Sequence, residues 1–153
     1  MDQLEKKKIE QVVSRLAAKS GSSIYIQIED AFPGRRCVGG KYNIASQTVT
    51  IYLEDIKHQC MNLFSSLDHF YDFFTIVLAH EIGHAEDNDL PGLSEILSST
   101  RNEIERKKTA LQIEENAWRY TEGLLDEVNT GILQTIIYHS LKPYKENIEP
   151  ETA

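Results

Sequence analysis

His80-Glu81-Ile82-Gly83-His84 is the stretch on which the reading of this chain turns. A helix advances about 100° per residue, so His84 lies one turn beyond His80 and about 40° around from it, with both imidazoles facing one point. Two histidines at that spacing can grip one zinc ion. Glu81 then falls on the flank of the pair, where it can take a proton from a metal-bound water without binding the metal itself. Chance would place roughly 0.02 such matches in a chain with 5 histidines among 153 residues. The alternative is a pair of core histidines bonded to carbonyls, with Glu81 in an ion pair.

The context favours a metal. In Phe73-Phe74-Thr75-Ile76-Val77-Leu78-Ala79, the residues Phe73, Ile76 and Val77 share the face of His80 and His84, while Phe74, Leu78, Ile82 and Ala85 lie opposite. A helix apolar nearly all round is expected at the centre of a domain. Polar groups buried in it need partners, because burying them unpaired is costly. Gly83, which costs about 1 kcal/mol relative to alanine inside a helix, predicts that a strand, another helix or a peptide comes close to the backbone there.

A catalytic zinc with two histidines and a water lacks one protein ligand. Glu114 is the best candidate. On a helix over Leu111 to Val128, with Glu114 at the origin, Leu111, Ala117, Trp118, Thr121, Leu125 and Val128 all fall within about 60° of it. A lone carboxylate in the middle of an apolar stripe is expensive to ionise, whereas one bound to a cation has a reason to be there. Glu115 falls at the edge of the stripe and reads as a solvated charge. Asp87 is a rival ligand, but Asp87-Asn88-Asp89-Leu90-Pro91-Gly92 has the composition of a helix exit and turn. His58 and Cys60, a His-x-Cys without a second pair, and His69 read as surface or capping residues.

His80-Glu81-Ile82-Gly83-His84, followed by Glu114-x-x-Ala117-Trp118-x-Tyr120 and the pair Leu124-Leu125, resembles the core of the ImmA/IrrE-type zinc metallopeptidases. The likeness covers about residues 38 to 126. Trp118, Tyr120 and Thr121 depart from the Asn, Phe and Ala usual in that family. By this resemblance His80, His84 and Glu114 are the Zn²⁺ ligands and Glu81 is the catalytic base. It implies a zinc-dependent endopeptidase acting on a specific protein partner, such as a transcriptional repressor, in a bacterial or phage regulatory system. Two other readings are a zincin-fold module that holds its partner without cutting it, and an aminopeptidase or other zinc hydrolase of small amides.

Net charge −8 and pI near 5.1 argue against direct binding of duplex nucleic acid, which needs a basic footprint. The acidic surface could instead help to attract a basic, DNA-binding protein substrate. Lys6-Lys7-Lys8 alternates with Glu5 and Glu10 and reads as the solvated face of a helix that buries Ile9, Val12, Val13, Leu16 and Ala17. No apolar run is long enough to span a membrane, and the amino terminus lacks the apolar core of a signal segment. Cys37 and Cys60 make no disulfide framework, so a cytoplasmic location is expected.

The elements follow from periodicity. A helix is expected from about Gln3 to Lys19, ended by Gly21; strands over Ile24 to Glu29 and Thr48 to Leu53; and a short strand or bend within Cys37 to Tyr42. The central helix should begin near Leu67 to Tyr71. Asp87 to Ser99 reads as a connector with a short helix at Leu93 to Leu97, of a length that suits a lid or a substrate-binding segment. Further helices are expected over Glu103 to Val128 and Ile132 to Leu141. The fold expected is a single α+β, zincin-like domain over residues 1–141, with a small, mostly antiparallel sheet packed on the central helix, followed by a polar, fraying tail over 142–153. One sheet edge should border the metal. Tyr120, Tyr138 and His139 are candidates for the donor that a developing oxyanion needs.

Overall fold

The computed structural model describes residues 2–152, with side chains described from 2 to 148. Its chain order is helix α1 (Gln3–Ser20), strands β1 (Tyr25–Glu29), β2 (Gly40–Asn43) and β3 (Thr48–Tyr52), then helices α2 (Leu53–Phe64), α3 (Phe70–Ala85), α4 (Leu90–Ser99), α5 (Glu103–Leu124) and α6 (Thr130–Thr152). The fold is α+β, with six helices and a small three-stranded mixed sheet among the described residues. Among the described residues no helix is long and apolar enough to cross a membrane.

The centre is α3, on which every residue from Phe73 to His84 is buried. Its apolar circumference leaves no side for water, so α1, α2, α5, α6 and the sheet all pack around it. Helix α1 begins where the Asp2 carboxylate caps the Glu5 N–H and ends at Gly21, in the left-handed conformation at φ 66°. It turns Ile9, Val12 and Leu16 inward, and Val13 is half-buried beside them.

The sheet is ordered β1-β3-β2, with β1 parallel to β3 and β2 antiparallel to it. The expectation of a mostly antiparallel sheet is therefore corrected to a mixed one. The tight turn over 44–47, where the Asn43 side chain accepts from the Ser46 N–H and Gln47 sits at φ 51°, makes a hairpin of β2 and β3. The longer segment 30–39 carries the chain past β3, which leaves β1 to pair on the other side in parallel. Ile26 is opposite Val49, Ile28 opposite Ile51 and Gly40 opposite Ile51, so one apolar face meets α3. Among the described residues no further strand pairs with the outer edge of β2.

Two helical segments differ from the sequence-based expectation. Leu53 does not extend β3 but opens α2, which buries Leu53, Ile56 and Cys60 at helical spacing. At the other end, α6 does not stop before Pro143 and runs on through the stretch expected to fray. Pro143 forgoes the bond that an N–H would make to the His139 carbonyl, but it lies on the exposed face of the helix. A Lys142–Glu146 ion pair at 3.8 Å spans the next turn. Of the expected tail only Ala153 lies outside the described residues.

The Asp87 to Ser99 connector is mostly helical and α4 packs on α5. It contributes no wall to the cavity described below.

Candidate metal centre

His80 and His84 leave the carboxyl-terminal half of α3 on one face and meet Glu114 from the middle of α5. Glu114 Oε1 lies 3.1 Å from His80 Nε2, and Oε2 lies 3.2 Å from His84 Nε2. Among the described residues these three form the group of donors close enough to share one ion, with all ligand atoms within 4.8 Å of one another. The three predicted ligands are thus brought together.

Their separation fits a small cation. Donors about 2.0 to 2.1 Å from a tetrahedral zinc lie about 3.3 Å apart, close to the distances seen between the histidine nitrogens and the carboxylate. The donor chemistry, two imidazoles and one carboxylate, is also a set that zinc accepts while keeping a position open. The His80/His84/Glu114 group can therefore hold a metal ion.

The close approach that delivers Glu114 depends on Gly83. A Cβ at this position would sit 2.8 Å from the Ala117 carbonyl oxygen and 3.2 Å from both Ala117 Cα and Tyr120 Cδ1. The element predicted to crowd Gly83 is α5 itself. On α5 the buried stripe runs Thr109, Ile113, Ala117, Trp118 and Thr121, so its centre is displaced from Glu114 toward Ala117. Glu114 sits at the margin of the stripe, its side chain 17% exposed, where the stripe borders a cavity.

Electrostatics follow from this packing. Burial alone would raise the Glu114 pKa, but hydrogen bonds from His80 and His84 overcome it and hold the carboxyl down at about 2. For His84 burial pulls downward, yet the Glu114 hydrogen bond and charge win and raise it. Glu81 is raised, first by burial and then by the Glu114 charge, against the opposing pull of the two histidines. Glu81 makes no bond to the donors and stands beside them, the place expected of a proton acceptor rather than a ligand.

His80 has an unusual neighbour. Its Nδ1 is buried without a hydrogen-bond partner, and its ring is stacked on Trp118 with centroids 4.0 Å apart and planes inclined by 29°. Metal-binding histidines commonly fix their orientation through a bond from the second nitrogen. Here an aromatic face does that orienting, and the Trp118 indole is in turn anchored by its Nε1–H donating to Ser140 Oγ at 3.1 Å.

A cavity of about 460 Å³ opens over the donors. Its floor is His80, Glu81 and Glu114; its apolar wall includes Val77 and Trp118. Cys37 to Gly40, which lead into β2, form one rim. The β2 edge reaches Glu81 directly: a Cβ on Gly40 would sit 2.9 Å from Glu81 Cγ and 3.2 Å from Val77 Cγ1. Asp55, in the first turn of α2, ties this rim down by accepting from the Phe32 N–H at 3.0 Å and the Val38 N–H at 2.8 Å. A sheet edge thus borders the site, as the sequence led one to expect.

The rival ligands are elsewhere. Asp87 accepts from the Asp89 N–H and from Asn116 Nδ2 at the exit of α3. Cys60 is buried and donates to the Ser66 carbonyl, His58 is exposed on α2, and His69 precedes α3 with its ring against Phe64. Of the candidate oxyanion donors, Tyr120 lies against the back of Gly83, Tyr138 is 63% exposed and off the cavity wall, and only His139 lines the cavity.

Sequence reasoning missed the contributions of α2 and of the far end of α6. Gln59, Asn62 and Leu63 from α2, and Ser140 and Tyr144 from α6, all line the cavity. The 3.6-residue spacing of Leu53, Ile56 and Cys60 was the available signal for α2; nothing local pointed to Tyr144. Comparison with protein-family models, with curated proteins and with solved structures returned no match.

Proposed function

We propose that this chain is a zinc-dependent endopeptidase with a zincin-like fold, akin to the ImmA/IrrE-type enzymes that its motifs resemble. The observation that carries the reading is the convergence of His80, His84 and Glu114 beside an uncoordinating, buried Glu81, in a cavity bordered by the unpaired edge of β2. Zinc bound there supplies a Lewis acid, which acidifies a water and polarises a carbonyl. Everything else falls to the chain.

Glu81 takes the proton from the attacking water and passes it to the leaving amine, a role suited to a carboxylate whose proton affinity is raised by burial. The outer edge of β2 offers backbone groups for an extended peptide to add as a strand, which fixes the scissile carbonyl over the donors. Val77 and Trp118 shield the floor from bulk water. The substrate is then a protein or peptide segment able to become extended, and a repressor protein in the same cytoplasm is the partner that the family resemblance suggests.

The test pairs metal analysis with cleavage of candidate partner proteins. Glu114→Ala is expected to bind zinc more than about a hundredfold more weakly, since losing even an outer-shell partner costs about 10- to 100-fold. Glu81→Gln is expected to keep its zinc and lose about 10²- to 10⁴-fold in kcat, the usual contribution of a positioned acid or base. A zinc-loaded Glu81→Gln protein that controls its partner as well as the wild type would overturn the peptidase reading in favour of a module that acts by holding.

A further inference from the structure

We infer that Tyr144 is the hydrogen-bond donor that meets the scissile carbonyl oxygen as it takes up negative charge, and so a catalytic residue supplied by the far end of α6. The inference rests on the peptidase reading above and completes it, because neither Glu81 nor the metal-binding side chains present a neutral donor to that oxygen. An oxyanion formed in a water-poor site needs donors fixed beforehand.

The geometry starts from the period of α6. Ile136, Ser140 and Tyr144 are spaced four apart, form one stripe and all line the cavity. The middle member is anchored: Ser140 Oγ accepts from Trp118 Nε1, and Trp118 stacks on His80. Tyr144 therefore stands one turn beyond a point that is tied through one ring to a metal-binding imidazole. It is half-buried, and none of the hydrogen bonds of the described residues engages its hydroxyl. Burial is the first cause that pushes its phenol pKa up, so the hydroxyl keeps the proton it would share.

Of the candidates named from the sequence, Tyr120 lies behind Gly83 and Tyr138 is exposed and off the cavity wall, while His139 lines the cavity but is exposed, unlike the half-buried Tyr144. In the hydrolysis itself the phenolic proton stays on Tyr144. The hydroxyl lends a hydrogen bond while the carbonyl carbon gains its bond to water oxygen, and releases it when the carbonyl re-forms and the amine leaves with the proton from Glu81.

Two zinc-directed probes decide the matter on the full, zinc-loaded chain. N-phosphoryl-leucyl-tryptophan carries a tetrahedral anion where the oxyanion would be, whereas mercaptoacetyl-leucyl-tryptophan binds zinc through sulfur and offers no such oxygen. Tyr144→Phe is expected to weaken the phosphoryl probe by about 10²-fold, in line with the loss of one oxyanion donor. Binding of the thiol probe, zinc content and thermal midpoint should stay as in the wild type, and Tyr138→Phe, exposed and off the cavity wall, should change neither affinity. On any peptide that the wild type cleaves, Tyr144→Phe should lower kcat by about 10²- to 10³-fold and leave KM almost unchanged. Equal effects on both probes, no effect on either, or a loss carried by KM alone would overturn the assignment. A wild type that cleaves nothing would sink the peptidase reading, while the ratio of probe affinities would still judge Tyr144. Protein that takes up no zinc would end both.

Discussion

On one side of the cavity, His80, Glu81 and Glu114 project from two helices whose backbones nearly touch at Gly83 and Ala117; on the other, Cys37 to Gly40 and Tyr144 come from a surface segment and from the last turns of α6. The first wall is largely buried and held by close packing. The second is partly exposed, and two backbone hydrogen bonds to Asp55 and one indole bond to Ser140 hold it in place. The difference teaches where precision is needed. On the proposed reading, a metal site tolerates little displacement of its donors, whereas a surface that receives a polypeptide must admit and release it.

If that division is right, disturbing the helix wall should damage metal binding first. Gly83→Val puts branched carbon where a Cβ would already be 2.8 Å from the Ala117 carbonyl oxygen. Helix α5 must move away, and Glu114 moves with it. The expected cost is about 3 kcal/mol, at the upper end for overpacking in a tight interior, together with at least about a tenfold loss of zinc affinity. Chemical denaturation and competition with a zinc chelator measure the two. Gly83→Val with unchanged zinc affinity would show that the helix contact does not set the donor geometry.

The opposite wall should fail differently. Asp55→Ala removes the acceptor for the Phe32 and Val38 N–H groups, which hold the rim beside β2. Two charge-assisted bonds, one to each half-buried amide, suggest a loss of about 2 kcal/mol. Zinc affinity should be unaltered, while KM for a peptide substrate rises as the edge of β2 loses its fixed position. A variant that loses zinc as readily as Gly83→Val would collapse the distinction between the walls.

The same division explains what the sequence disclosed. The motif His80 to His84 and the position of Glu114 are legible because helical spacing is local, and a carboxylate among apolar residues marks itself. The burial of Phe73 to His84 follows from the same pattern. Leu53 misleads because it continues the alternation of Val49 and Ile51, so one residue serves the strand period before it and the helix period after it. The parallel pairing of β1 with β3 depends on which side of β3 the segment 30–39 passes, a non-local choice that no short window contains. Tyr144 was hidden behind Pro143, a residue that ordinarily ends a helix and here rides on the exposed face of one that continues.

Between the walls stands Trp118, the only tryptophan of the chain, which faces His80 on one side and bonds to Ser140 on the other. Its fluorescence therefore reports directly on the centre: zinc binding at His80 changes the charge against the indole face and should shift the emission. Ser140→Ala sharpens the comparison at its finest point. The variant leaves the indole N–H without its acceptor at a cost of about 1 kcal/mol, a hydrogen bond's ordinary net worth. The stack on His80 is held by packing from α3 and α5 and should survive, so zinc affinity should fall by no more than about fivefold, the equivalent of that energy. The emission, measured during zinc titration, should still respond but from a different starting wavelength. A larger loss of affinity would mean that the α6 wall positions the metal ligands as well as the substrate, because the Ser140 bond would then be setting the His80 ring plane that packing alone is argued to fix.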